Sequence, residues 1–66
     1  MTPNKVKRYL KAIRLAAPDP EHAHDLEDKM RGAILEAISR GRCDDPEECA
    51  RIALTSDEID FPRWCA

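Results

Sequence analysis

Apolar side chains recur along the first seventeen residues at three- and four-residue steps. Val6, Tyr9, Leu10, Ile13 and Ala17 therefore share one face of a helix, with Lys7, Lys11 and Arg14 opposite. Thr2 can cap the free backbone N–H groups at the start of that helix, Pro3 suits its first position, and Met1 and Val6 stand where a hydrophobic staple closes. The pattern predicts a helix over about 3–17, in which only Leu15 falls on the basic side. Pro18, Asp19 and Pro20 then force a short, stiff corner, because each proline lacks an N–H and biases the residue before it away from helix. Asp19 caps a second helix that opens on acidic residues, the sign favoured at that end of the dipole, and Gly41 ends it, giving a helix over about 20–40. Its expected buried stripe is Ala23, Leu26, Met30, Ala33, Ile34, Ala37 and Ile38. Glu27 with Arg31, and Glu36 with Arg40, are expected as i, i+4 pairs on exposed flanks.

The corner logic repeats at Asp45, Pro46, Glu47 and Glu48, with Glu48 spaced for a capping box, and starts a third helix over about 46–54. Cys49, Ile52 and Ala53 give it little more than two turns of apolar face. Residues 57–66 form a tail in which Ile59, Phe61 and Trp64 are apolar and Pro62 holds Phe61 extended. No strand-like alternation, low-complexity stretch or long repeat interrupts this series. The expected fold is a single all-α domain, residues 1–66: a small three-helix bundle with a long central helix, a short third helix and a C-terminal tail packed on the helix pair.

Length and composition narrow the function classes. The 66 residues leave room for one small domain, and of the 42% that are apolar nine are alanine and three cysteine, so only about fifteen sizeable side chains can build a core. The net charge of −2 hides an asymmetry. Residues 1–17 carry five bases and no acid, whereas residues 18–66 carry thirteen acids and six bases. No apolar run approaches the length of a membrane span, nor is there the apolar stretch of a signal peptide, so the expectation is a soluble cytoplasmic chain with no membrane partner. Three irregularly spaced cysteines do not make the disulfide framework of a secreted miniprotein.

Candidate chemistry is sparse. His22 and His24 point about 200° apart on a helix, and the gap from Cys43 to Cys49 is wider than a zinc knuckle, so no metal or other cofactor is expected. Cys43 and Cys49 can touch across the start of the third helix, or bridge under oxidation, with the reduced, half-buried state as the default. Ser39 and Ser56 lie at helix ends, no glycine-rich phosphate loop can be built from Gly32 and Gly41, and so small a bundle has little interior for a small-molecule substrate. No catalytic residue is assigned and the chain is read as non-enzymatic. Nucleic-acid contact through Lys7, Arg8, Lys11 and Arg14 is the alternative reading, opposed by the acids of Asp44 to Glu48 where a recognition helix would need bases. The leading reading is a protein-interaction module, with a protein partner or self-association. Phe61, Arg63 and Trp64, residue types that make interface hot spots, are its candidate partner-binding residues. Against that, Ile59 and Phe61 are expected to close the open side of the helix pair, with Trp64 at the rim, because two large aromatics left in water make an apolar patch a monomer rarely tolerates.

The capped helix ending Ala50, Arg51, Ile52, Ala53, Leu54 and the closing Ile59, Asp60, Phe61, Pro62, Arg63, Trp64, Cys65, Ala66 resemble the last third of small acidic accessory reading frames of actinobacterial phages and mobile elements. The resemblance covers roughly residues 48–66. It implies a phage accessory protein acting in the host cytoplasm, and carries over no functional residue.

Overall fold

The computed structural model describes residues 1–63 and is all-α. Helix α1 spans Pro3–Ala16, α2 Pro20–Ser39 and α3 Pro46–Leu54, followed by a single 3-10 turn at Thr55–Glu58. The expected starts hold because each is built the same way, with a side-chain oxygen capping a backbone N–H and proline following. Thr2 accepts from the Lys5 N–H at 3.2 Å, Asp19 from His22 at 3.4 Å and Asp45 from Glu48 at 3.3 Å. The capping box at α3 is half made, since the Glu48 carboxylate turns to Arg51 Nε, 2.7 Å away. Helix α2 ends in a Schellman motif in which Gly41 N–H donates to Ile38 O and Arg42 N–H to Ala37 O, with Gly41 at φ +65°. Asp45 also lies in the left-handed region, at φ 52°, which lets the chain reverse into α3 within five residues of Gly41.

Helix α2 runs back along α1, because the Pro18–Pro20 corner allows no other return. Met1 and Lys5 face Ala37 and Arg40 at one end, and Arg8 and Ala12 face Leu26 nearer the other. Helix α3 then restarts beside the beginning of α1, where the Asp44 N–H donates to Met1 O at 2.8 Å, and climbs back along α2. All three helices pack on one another. The core is Val6, Leu10 and Ile13 from α1, Ala23, Met30 and Ile34 from α2, and Cys49, Ile52 and Ala53 from α3, closed by Ile59 and Phe61.

Two expectations about α2 are corrected. Ile38, expected in the buried stripe, is 40% exposed, because it lies at the edge of that stripe towards the outer side of the bundle. Glu27, expected on an exposed flank, is one of the most buried side chains, at 2% exposure. Arg63, following the 3-10 turn, reaches its carboxylate and closes over it.

Candidate functional site

The buried carboxylate explains the tail. Arg63 reaches Glu27 with two parallel bonds, Nε to Oε1 at 3.0 Å and Nη2 to Oε2 at 3.1 Å, the fork-on-fork geometry that suits guanidinium and carboxylate. Its remaining donors meet the backbone oxygens of Phe61 at 3.2 Å, Ser56 at 2.9 Å and Ile59 at 3.1 Å. The guanidinium also stacks 3.8 Å from the Phe61 ring centre. Arg31 stands 3.8 Å from the same carboxylate while holding Asp57 at 2.9 Å and the Ser56 hydroxyl at 3.2 Å. Burial pushes the Glu27 carboxyl up, but hydrogen bonds from Arg63 and Ser56 and the charges of Arg63 and Arg31 outweigh it and hold the group below its ordinary range. Of the expected partner-binding residues, then, Phe61 is in the core at 5% exposure and Arg63 is turned inward to Glu27, while Trp64 lies outside the described residues.

The residues expected to contact nucleic acid all belong to α1. Lys7, Arg8, Lys11 and Arg14 are all exposed, as is Lys5, and among the described residues none of the five lies within ion-pair distance of a carboxylate. Three acids of α2 pair instead along their own helix: Asp25 with Lys29 at 2.9 Å, Glu36 with Arg40 at 3.3 Å, Asp28 with His24 at 3.5 Å. At the C-terminal end of α1, next to Arg14, stands Leu15, 75% exposed.

Two further features come from the chain reversal before α3. The Cys43 and Cys49 thiols both point at the Asp44 carbonyl oxygen, at 3.9 and 3.3 Å, so the expected proximity of the two is met. Burial, with the neighbouring Cys43 thiol and Asp45, pushes Cys49 up to about 11, which keeps it protonated and inert as a nucleophile near neutrality. Nearby, Glu48 is held below its usual range by the Arg51 hydrogen bonds, with the Lys7 charge a smaller contribution.

The surface that sequence reasoning missed lies between α2 and α3. Arg31, Ile34 and Leu35 from one helix and Ala50, Ala53 and Leu54 from the other line an open groove, in which Leu35 is 68% and Leu54 66% exposed. The signal was present in the sequence. Leu35 and Leu54, like Leu15, are large apolar residues that fit none of the predicted buried stripes. Among the described residues no three His, Cys, Asp or Glu side chains are grouped to hold a metal ion. No described helix is long and apolar enough to cross a membrane.

Comparison with protein-family models, curated proteins and solved structures finds no match to the chain.

Proposed function

We propose that this chain is a small non-enzymatic protein-interaction module whose docking surface is the α2–α3 groove rather than the C-terminal aromatic cluster. The observation that carries the proposal is the pair Leu35 and Leu54, two large and mostly exposed apolar side chains that line one groove together with Ile34, Ala50 and Ala53. A domain with so few large apolar residues gains by burying each one, and leaving two adjacent leucines out of the core is a cost that a partner offsets. The shape suits an apolar ridge such as one face of a helix. If the chain is phage-borne, as its last third suggests, the partner is a host factor or the chain itself, met in the host cytoplasm.

The test is capture from a lysate of the source cells that also contains the untagged chain, with Leu35→Gln/Leu54→Gln as the comparison. Both positions are exposed, so the variant keeps the parent's melting temperature. A protein retained by the parent and lost with the variant supports the reading, and an unchanged set of captured proteins overturns it.

A further inference from the structure

A second cleft runs along the seam of α1 and α2, and no residue of α3 lines it. It consists of two hollows of about 330 and 270 Å³ that share Lys5 and Tyr9 and so run into one another. The half-buried Tyr9, Ala12, Leu26, Ala33 and Ala37 line its length. Charge is spread unevenly along it. Lys5, Arg40 and Arg42 line the first hollow, and Glu36, the one acid there, is already paired with Arg40 at 3.3 Å. Among the described residues neither Lys5 nor Arg42 lies within ion-pair distance of a carboxylate. Arg42 is held at this spot by its backbone, whose N–H donates to Ala37 O at 2.8 Å and whose carbonyl accepts from Met1 N at 3.0 Å. The second hollow is lined by Ala12 and Leu26 and adds only Arg8 as a new charge. One end of the seam is thus basic and the other mainly apolar.

We infer that this seam docks an acidic, amphipathic segment of a partner protein, with its carboxylates at Lys5 and Arg42 and an apolar side chain against Ala12 and Leu26. Lys5 and Ala12 stand two turns apart on α1, about 10 Å, which sets the spacing between the acid and the apolar anchor of the partner. Charge complementarity selects the acid: two unpaired positive side chains, and a third shared with Glu36, face a hollow that holds no free carboxylate to compete. The apolar half selects a polypeptide over a nucleic-acid strand. A strand carries a phosphate at every nucleotide and needs positive charge along its whole path. Beyond Arg8 the seam offers apolar side chains instead, and the exposed acids Glu21, Asp25 and Asp28 stand at the same end of α2 as Leu26. No residue lines both this seam and the α2–α3 groove, so the two docking surfaces are independent. Contacts that rest partly on exposed charges are weak and salt-sensitive.

Fluorescence anisotropy of a labelled helical peptide, titrated with the full chain, reads this directly. The peptide carries a pair of glutamates near one end and a pair of leucines about two turns away, and is made in both chain directions. Two control peptides replace the glutamates or the leucines by glutamine. The expected result is binding in one direction with a Kd of about 10–500 µM at 50 mM salt, weakened severalfold by 500 mM salt and at least about fivefold in each control. Lys5→Glu/Arg42→Glu reverses two exposed charges, so it should keep the parent's melting temperature and weaken binding at least about tenfold. Leu35→Gln/Leu54→Gln should leave the peptide's Kd unchanged. No binding of either peptide up to about 1 mM protein, or a Kd within about twofold of the parent's for the charge-reversed variant, overturns the site. Equal binding of the leucine-free control overturns the amphipathic partner. A labelled single-stranded oligonucleotide of the same net charge that binds more tightly than the peptide, and is lost with Lys5→Glu/Arg42→Glu, overturns the proposal in favour of nucleic acid.

Discussion

Replacing Arg63 by methionine isolates the contact that the tail makes with the bundle. The substitution keeps much of the side chain's apolar stem and removes its charge, so the Glu27 carboxylate, 2% exposed in the parent, keeps only the Ser56 hydroxyl and a distant Arg31 at 3.8 Å. Stranding one member of a buried ion pair costs about 3–5 kcal/mol. The lower end applies here, because the Arg63 side chain is itself 31% exposed and Arg31 can close part of the gap. A domain of this length has on the order of 3–10 kcal/mol of stability in total, so a loss of about 3 kcal/mol removes a large share of it and lowers the melting temperature by roughly 12–24 °C. The reverse substitution, Glu27→Leu, is milder, about 1–2 kcal/mol, since Arg63 keeps the carbonyls of Phe61, Ser56 and Ile59 as acceptors. Urea denaturation followed by far-ultraviolet circular dichroism of the parent, the two single variants and the double variant closes a thermodynamic cycle. The double variant should be more stable than the sum of the single losses predicts, by about 1.5–3 kcal/mol. Additivity within about 0.5 kcal/mol, or an Arg63→Met protein that melts within 3 °C of the parent, would refute the reasoning.

The same pair sets an acid limit. Because the Glu27 carboxyl is held below its ordinary value in the fold, its contribution is fully present above the unfolded value of about 4.3 and is lost as pH falls through the lower folded value, so the parent should destabilise over that window more steeply than Glu27→Leu. Met30→Asp, at a position with no exposure, should cost upwards of about 3 kcal/mol and leave the chain unfolded by circular dichroism at 25 °C. Gly41→Ala should cost about 1 kcal/mol, read as a melting shift of roughly 4–8 °C, since a Cβ meets no neighbour there and only the φ of +65° opposes it. Peptide-resolved alkylation at pH 7.5 should modify Cys49 only on unfolding, its thiol being buried and raised to about 11, and rapid labelling in the native protein would contradict that protection. Duplex DNA should bind the α1 face weakly, with the affinity gone at physiological salt, and submicromolar sequence-specific binding there would favour the nucleic-acid reading over the protein-interaction one.

The chain by itself determined the helices and most of their inward faces. Caps, prolines and Gly41 act within four residues of where they stand, and the 3.6-residue period fixes which side chains point the same way, so Val6, Leu10, Ile13, Met30, Ile34, Cys49 and Ile52 were legible as core before any packing was known. The corners at Pro18–Pro20 and Gly41–Asp45 are short enough that back-to-back packing follows from chain length. Tertiary structure decided what depends on residues far apart in the chain. Glu27 and Arg63 are separated by 36 positions, and neither periodicity nor the i, i+4 rule can see that a tail arginine displaces Arg31 as the main partner and draws the carboxylate inside. That closure buried Ile59 and Phe61, as the core-closing reading of the tail expects, and also drew in Arg63, a candidate partner-binding residue by sequence, while Leu35 and Leu54 stayed uncovered. An apolar residue outside a buried stripe is visible in the sequence, but whether it meets another such residue across a groove depends on how two helices are set side by side. The surface on which the proposed function rests therefore became visible only once α2 and α3 were packed.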